Sequence, residues 1–212
     1  MKIRLLLIAH PLRPDVFDYL VRDPNFEVHL LWFETASIDP VSVKNRHPNI
    51  WEVHYWNSYT TPKKLIEKIR PERIVFMEIL DYFQIALIIE ARRQGLPTFY
   101  LDHLAAGDRE LSMKMSYALT VTNHKLPHFK ERLGNPLRVL RARIFYFSVF
   151  RGFESLRSYF EYLWLPFLAL WHSATAALER LKFRERVPDY YIVFSRTNLH
   201  EFQRYTGIDE QK

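Results

Sequence analysis

RIVFMEILDYFQIALIIEARRQGLPTFYLDH, residues 73–103, reads as strand, helix, strand. Residues 74–79 form a short apolar run of the length and content of a buried strand. Residues 82–94 follow as a helix, and Gly95-Leu96-Pro97 ends it. Glycine accepts the left-handed turn past the last helical residue, and proline cannot continue the helix. Residues 98–101 return to strand-forming types. Two strands joined by a helix lie parallel, because the helix must cross back over one face of the sheet.

The same alternation extends both ways. Residues 2–9 form a first strand, bounded by His10-Pro11. Residues 12–21 form a helix with Pro14 in its first turn, 26–33 a second strand, and 50–56 a third, rich in β-formers. Thr61 as N-cap and Pro62 at the first helical position open a helix through Ile69, with Pro71 beyond its end. Residues 190–194 restore a strand and 199–205 a helix, closed by Gly207. The expectation is an α/β fold: a doubly wound, Rossmann-like parallel sheet in the order 3-2-1-4-5-6. It forms one domain over residues 1–212, with a helical insertion at about 109–187 before the last strand.

Composition bounds the chemistry. A chain of 212 residues, 48% hydrophobic and 25% charged, is long enough for one sizeable core. The absence of cysteine removes disulfides, thiolate metal sites and cysteine nucleophiles, and fits a reducing, cytoplasmic setting. The N-terminal apolar run is too short for a signal peptide. Residues 162–178 carry no charge but include Pro166, His172, Ser173 and Thr175, and do not read as a membrane span.

The formal net charge is +6, and residues 130–186 hold all of it, with eleven Lys and Arg against five Glu. Such a segment points to an anionic partner, or is a solvated helical face. Tyr146, Val149, Phe153, Leu156, Phe160, Leu163, Phe167 and Leu170 recur at steps of three and four, as on one amphipathic helix kinked or restarted at Pro166. That stripe either packs on the insertion's other helices or lies in a membrane interface. In the membrane case Arg138, Arg141, Arg143 and Arg151 meet headgroups. Phe145, Phe147, Phe150 and Trp164 enter the bilayer, while Phe153 and Phe160 pack on the domain.

Ligands of open parallel sheets bind beyond the carboxyl ends of the strands. Those positions carry His10, Glu78, Asp81, Asp102, His103, Ser195, Arg196 and Asn198. Imidazole and carboxylate in one crevice are the ingredients of general base catalysis. His103 is either such a base or a structural turn residue, and Asp81 and Asn198 also read as helix caps. No Gly-x-Gly-x-x-Gly follows the first strand, and there is no P-loop, no Gly-x-Ser-x-Gly and no His-carboxylate set at metal-ligand spacing on one helix. Dehydrogenase, kinase and esterase chemistry are disfavoured, and no cofactor or metal is expected. An RNA-recognition signature is missing, so nucleic acid is the least favoured partner for the basic helices.

The opening residues 2–10, the segments 73–76 and 97–103, and the exit 189–195 together resemble the N-terminal, acceptor-side domain of GT-B-fold glycosyltransferases. The resemblance implies His103 as the base that activates an acceptor hydroxyl. Asp102 or Glu78 would orient or assist it, and His10, Arg109, Ser195, Arg196 and Asn198 would contact substrate. Related enzymes place a glycine after this histidine; here Leu104 follows, and a glycine comes only at Gly107. The implied partner is a glycan or lipid-linked glycan at the inner membrane face. A nucleotide sugar would bind only with a C-terminal domain, which in that family begins about where this chain ends. The rival expectation is a non-catalytic membrane- or protein-interaction module built on the basic insertion.

Overall fold

The structure, a computed structural model, describes residues 2–9, 14–32, 43, 45, 48–77, 82–101, 136–151, 153–171 and 184–192. Its centre is a six-stranded, wholly parallel sheet made of β1 (Ile3–Ile8), β2 (Phe26–Trp32), β3 (Glu52–Tyr55), β4 (Arg73–Phe76), β5 (Thr98–Leu101) and β6 (Tyr190–Ile192). The order is β3-β2-β1-β4-β5-β6, as the alternation of strands and helices predicts. Described helices are α1 (Pro14–Arg22), α2 (Pro62–Ile69), α3 (Tyr82–Arg93), α4 (Pro136–Phe147) and α5 (Leu156–Trp171). The expected helix over 199–205 lies outside the described residues.

Local chemistry sets the boundaries. Thr61 Oγ1 accepts the Lys64 amide at 3.2 Å and Pro62 occupies the first turn, so α2 starts where a side chain replaces a missing helical acceptor. Arg70 closes α2 in the left-handed region, at φ 53°, its amide donating to the Ile66 carbonyl at 2.7 Å. Gly95, at φ 68°, turns the chain after α3.

Period-two alternation divides the core into two layers. Leu5, Leu7, Val28, Leu30 and Val75 pack with Phe17 and Val21 of α1. On the other face Leu6, Ile8, Leu31, Ile74 and Phe76 pack with α2, α3, α4 and α5.

The insertion departs from expectation. The three-four repeat of residues 146–170 predicts one helix, but the chain turns between α4 and α5. Ser155 Oγ accepts the Ser158 amide at 3.1 Å and so caps a new helix. The helix α5 then runs through Pro166. Phe145 of α4 packs edge-on against Trp56, with centroids 5.3 Å apart, and meets Phe83 at 5.8 Å. Buried Glu185 secures the start of α5, accepting the Glu154 amide at 2.8 Å and the Ser158 hydroxyl at 3.0 Å. Among the described residues no helix is long and apolar enough to cross a membrane.

Candidate functional site

Parallel pairing brings the carboxyl ends of the strands to one edge. Ile8 pairs with Phe76, Phe76 with Tyr100, and Tyr100 with Tyr191. His10, Glu78, Asp102, His103, Arg109, Ser195, Arg196 and Asn198 lie outside the described residues; the strands ending at Ile8, Phe76, Leu101 and Ile192 lead to that edge.

A polar cluster that the sequence reading did not single out lies between β2 and β3. Both strands carry the same tripeptide, Glu27-Val28-His29 and Glu52-Val53-His54. Period two puts each glutamate and histidine on one face and the valine on the other. The register sets His29 beside Glu52 and Leu31 beside His54, so the two imidazoles meet along a diagonal. His29 Nδ1 stands 2.9 Å from His54 Nε2, the rings 19° from coplanar. Both residues are buried, at 4% and 5% exposure, inside a largely apolar layer.

The far nitrogens are also held. His29 Nε2 lies 3.0 Å from Glu27 Oε1, and Glu27 is ion-paired to Arg4, which also donates to the Ile69 carbonyl at 3.1 Å. His54 Nδ1 lies 2.8 Å from the Tyr59 hydroxyl. Glu52 Oε2 stands 3.6 Å from His54 Nε2, on a side chain that is 57% exposed.

A carboxylate only accepts, so His29 donates from Nε2; a neutral His29 then accepts at Nδ1 from His54, which accepts in turn from Tyr59. Protons therefore point in one direction, from Tyr59 towards Glu27. Burial pushes the His54 imidazole down to about 4; Glu52 opposes this, and His29 and Lys68 reinforce it. The hydrogen bond from His29, seconded by Arg4, holds Glu27 below the usual carboxylate range against its burial. Burial, with the charge of Glu52, raises the Tyr59 phenol.

A second feature is the outer face of the insertion. Tyr162 and Leu165 of α5 point into the core, with Ser158 beside them. On the opposite side Leu156 is 78% exposed, Phe160 71%, Trp164 58% and Phe167 54%, and Leu163 continues the strip. Leu140 and Ile144 of α4 are also exposed. Arg141, Arg143, Arg151 and Arg157 are exposed on the same two helices and the turn between them. Trp164 is as accessible as membrane insertion requires. Phe145 is buried, while Phe147 and Phe150 are partly buried against the core, because α4 uses that end to pack on the sheet layer. Phe153 packs as expected and Phe160 does not. The Arg138 side chain lies outside the described ones.

No family model matches the chain, and no curated protein matches it. Among solved structures it is similar to the E. coli tRNA N6-threonylcarbamoyladenosine dehydratase TcdA, at 11% identity and a TM-score of 0.34. The match covers 47% of this chain and 51% of that one, about half the length of each.

Proposed function

We propose that the protein works at an anionic membrane surface as a glycosyltransferase acceptor-side domain. The insertion would dock on the bilayer, and the carboxyl edge of the sheet would receive a glycan or lipid-linked glycan. The observation that carries this reading is the outward strip Leu156, Phe160, Trp164 and Phe167, accompanied by exposed arginines. Contiguous exposed aromatic side chains cost free energy in water and gain it in the headgroup region, where arginine also meets lipid phosphate. A lipid-linked acceptor is presented at that same surface. The transferase part rests on the sequence resemblance and on the open parallel sheet, whose strand order reverses between β1 and β4, the kind of point at which such sheets bind ligands beyond their carboxyl edge.

In this proposal His103 takes the proton of the acceptor hydroxyl, Asp102 or Glu78 orients it, and Arg109 and Arg196 hold an anionic group. His10, Ser195 and Asn198 complete the contacts.

The test is an amide NMR titration with soluble glycans and with a lipid-linked monosaccharide in anionic nanodiscs. Shifts at the strand ends Ile8, Phe76 and Leu101 support acceptor binding. Docking through α5 with no acceptor effect at those ends would favour the second reading, a non-catalytic membrane-interaction module, for which the same exposed strip speaks.

A further inference from the structure

We infer that His29, His54 and Glu52 form a binding site for a divalent transition-metal ion of the zinc class, at the outer edge of the sheet. The site is separate from the carboxyl-edge crevice and does not depend on the transferase reading.

The geometry suits an ion. One ligand atom from each residue lies within 4.8 Å of the others. The pairs are 2.9 Å apart for His29 Nδ1 and His54 Nε2, and 3.6 Å for His54 Nε2 and Glu52 Oε2. Bonds of about 2.1 Å in a tetrahedral site put ligand atoms roughly 3.4 Å apart, so both separations need only small adjustment. The carboxylate can make the larger share of it, because Glu52 is exposed and its rotamer is not locked by packing.

The outer partners are those of a metal site. Ligating histidines characteristically donate their second nitrogen to a carboxylate or another acceptor, which fixes ring orientation and tautomer. His29 has Glu27, itself anchored by Arg4, and His54 has Tyr59. These two contacts aim the remaining nitrogens at each other and towards Glu52.

The donor set selects the ion. Two imidazoles and one carboxylate, without thiolate, match zinc and its first-row neighbours and are poor ligands for calcium or magnesium. Among the described residues β3 is the edge strand and Glu52 faces solvent, so a water can complete the coordination.

Binding requires one internal change. The proton shared between the rings leaves His54 Nε2, and one is taken up at His54 Nδ1, which now donates to the Tyr59 oxygen. The imidazole stays neutral, and the phenol turns its own hydrogen towards solvent. The ion gains three protein ligands, and no proton is gained or lost overall.

The experiment is titration of the chelator-treated full chain with Co²⁺, followed by visible absorption and then displacement by Zn²⁺. The parallel measurement is the imidazole nitrogen NMR spectrum with and without Zn²⁺. We expect one Co²⁺ per chain with the intense visible bands of a low-coordinate site. Zn²⁺ should shift His29 Nδ1 and His54 Nε2, and Glu52→Gln should weaken binding tenfold or more. Glu52 is exposed, so this variant keeps the fold, as far-UV circular dichroism will check. Absence of saturable binding at micromolar metal, unmoved His29 and His54 resonances, or a Glu52→Gln loss below tenfold each overturns the site.

Discussion

Tyr146 and Tyr162 each donate a phenol hydroxyl to the other's backbone carbonyl, their rings stacked 11° from parallel with centroids 3.9 Å apart. Both are fully buried, and the pair joins α4 to α5. Burial raises the Tyr162 phenol well above its ordinary range, so it stays a neutral donor. Tyr162→Phe keeps the ring but leaves the Tyr146 carbonyl to the Val149 amide, 3.4 Å away, which should cost about 0.5–1.5 kcal/mol. Urea denaturation of both single variants and the double should show coupling, because each hydroxyl fixes the ring that positions the other. Additive losses would mean that the two bonds act independently.

A comparable latch holds the last strand. Asp189 accepts the Thr98 amide at 3.0 Å and the Thr98 hydroxyl at 2.7 Å, and Arg92 reaches it at 3.1 Å. Arg92 also donates to the Val187 carbonyl at 2.7 Å. Asp189→Ala should therefore cost about 1–3 kcal/mol and selectively speed hydrogen exchange in β5 and β6. Uniform acceleration across the sheet would show that the loss is global and that the latch is not local to this edge.

Much of this fold is legible because local signals agree. Thr61 and Pro62 start α2, Gly95 turns the chain after α3, and β1, β4 and β5 are written as short runs rich in apolar or β-branched residues. The insertion was harder to read because α5 is apolar on both sides: Tyr159, Tyr162 and Leu165 on one, Phe160, Trp164 and Phe167 on the other. A periodicity gives the axis of such a helix without saying which face is inward. The break before α5 was hidden because the repeat continues through it, and only Ser155, three residues before Ser158, marks the cap. The histidine cluster is hidden for a different reason. Helical spacing does not bring its members together; their ring nitrogens converge through strand register, between residues 25 apart. The repeated Glu-Val-His on adjacent predicted strands is the signal that points to it.

Acid should weaken the metal-free fold through His54. Its imidazole titrates near 6.5 when unfolded and at about 4 when folded, so the unfolded chain binds more protons between those values. The stabilising contribution is complete above about pH 6.5 and is lost as pH falls towards 4; from pH 7 to 5 the loss is about 2 kcal/mol. The charges facing this ring are those of Glu52 and Lys68, with His29 and the Tyr59 phenol beside it. Urea midpoints at pH 7 and pH 5, with chelator present, measure the slope. His54→Gln should flatten it, and an unchanged slope would assign the acid sensitivity to other groups.

The outer strip of α5 predicts a two-part membrane interaction whose parts separate with salt. Full burial of a large apolar side chain contributes about 1.5–3 kcal/mol, and the strip offers several side chains that are more than half accessible. Phe160→Ala with Trp164→Ala should therefore lower partitioning into anionic vesicles tenfold or more, at low and high salt alike. Because both side chains are exposed, thermal unfolding of that variant should match the wild type. Arg141→Glu, Arg143→Glu and Arg151→Glu together should abolish the preference for anionic over zwitterionic vesicles at low salt and have little effect at 1 M, where the screening length is about 3 Å. Co-sedimentation of the three proteins at both salt concentrations separates the contributions. If the aromatic variant partitions as well as the wild type, insertion is not how this face binds. Equal binding of the wild type to neutral and anionic vesicles at low salt would leave the arginines as an ordinary solvated surface.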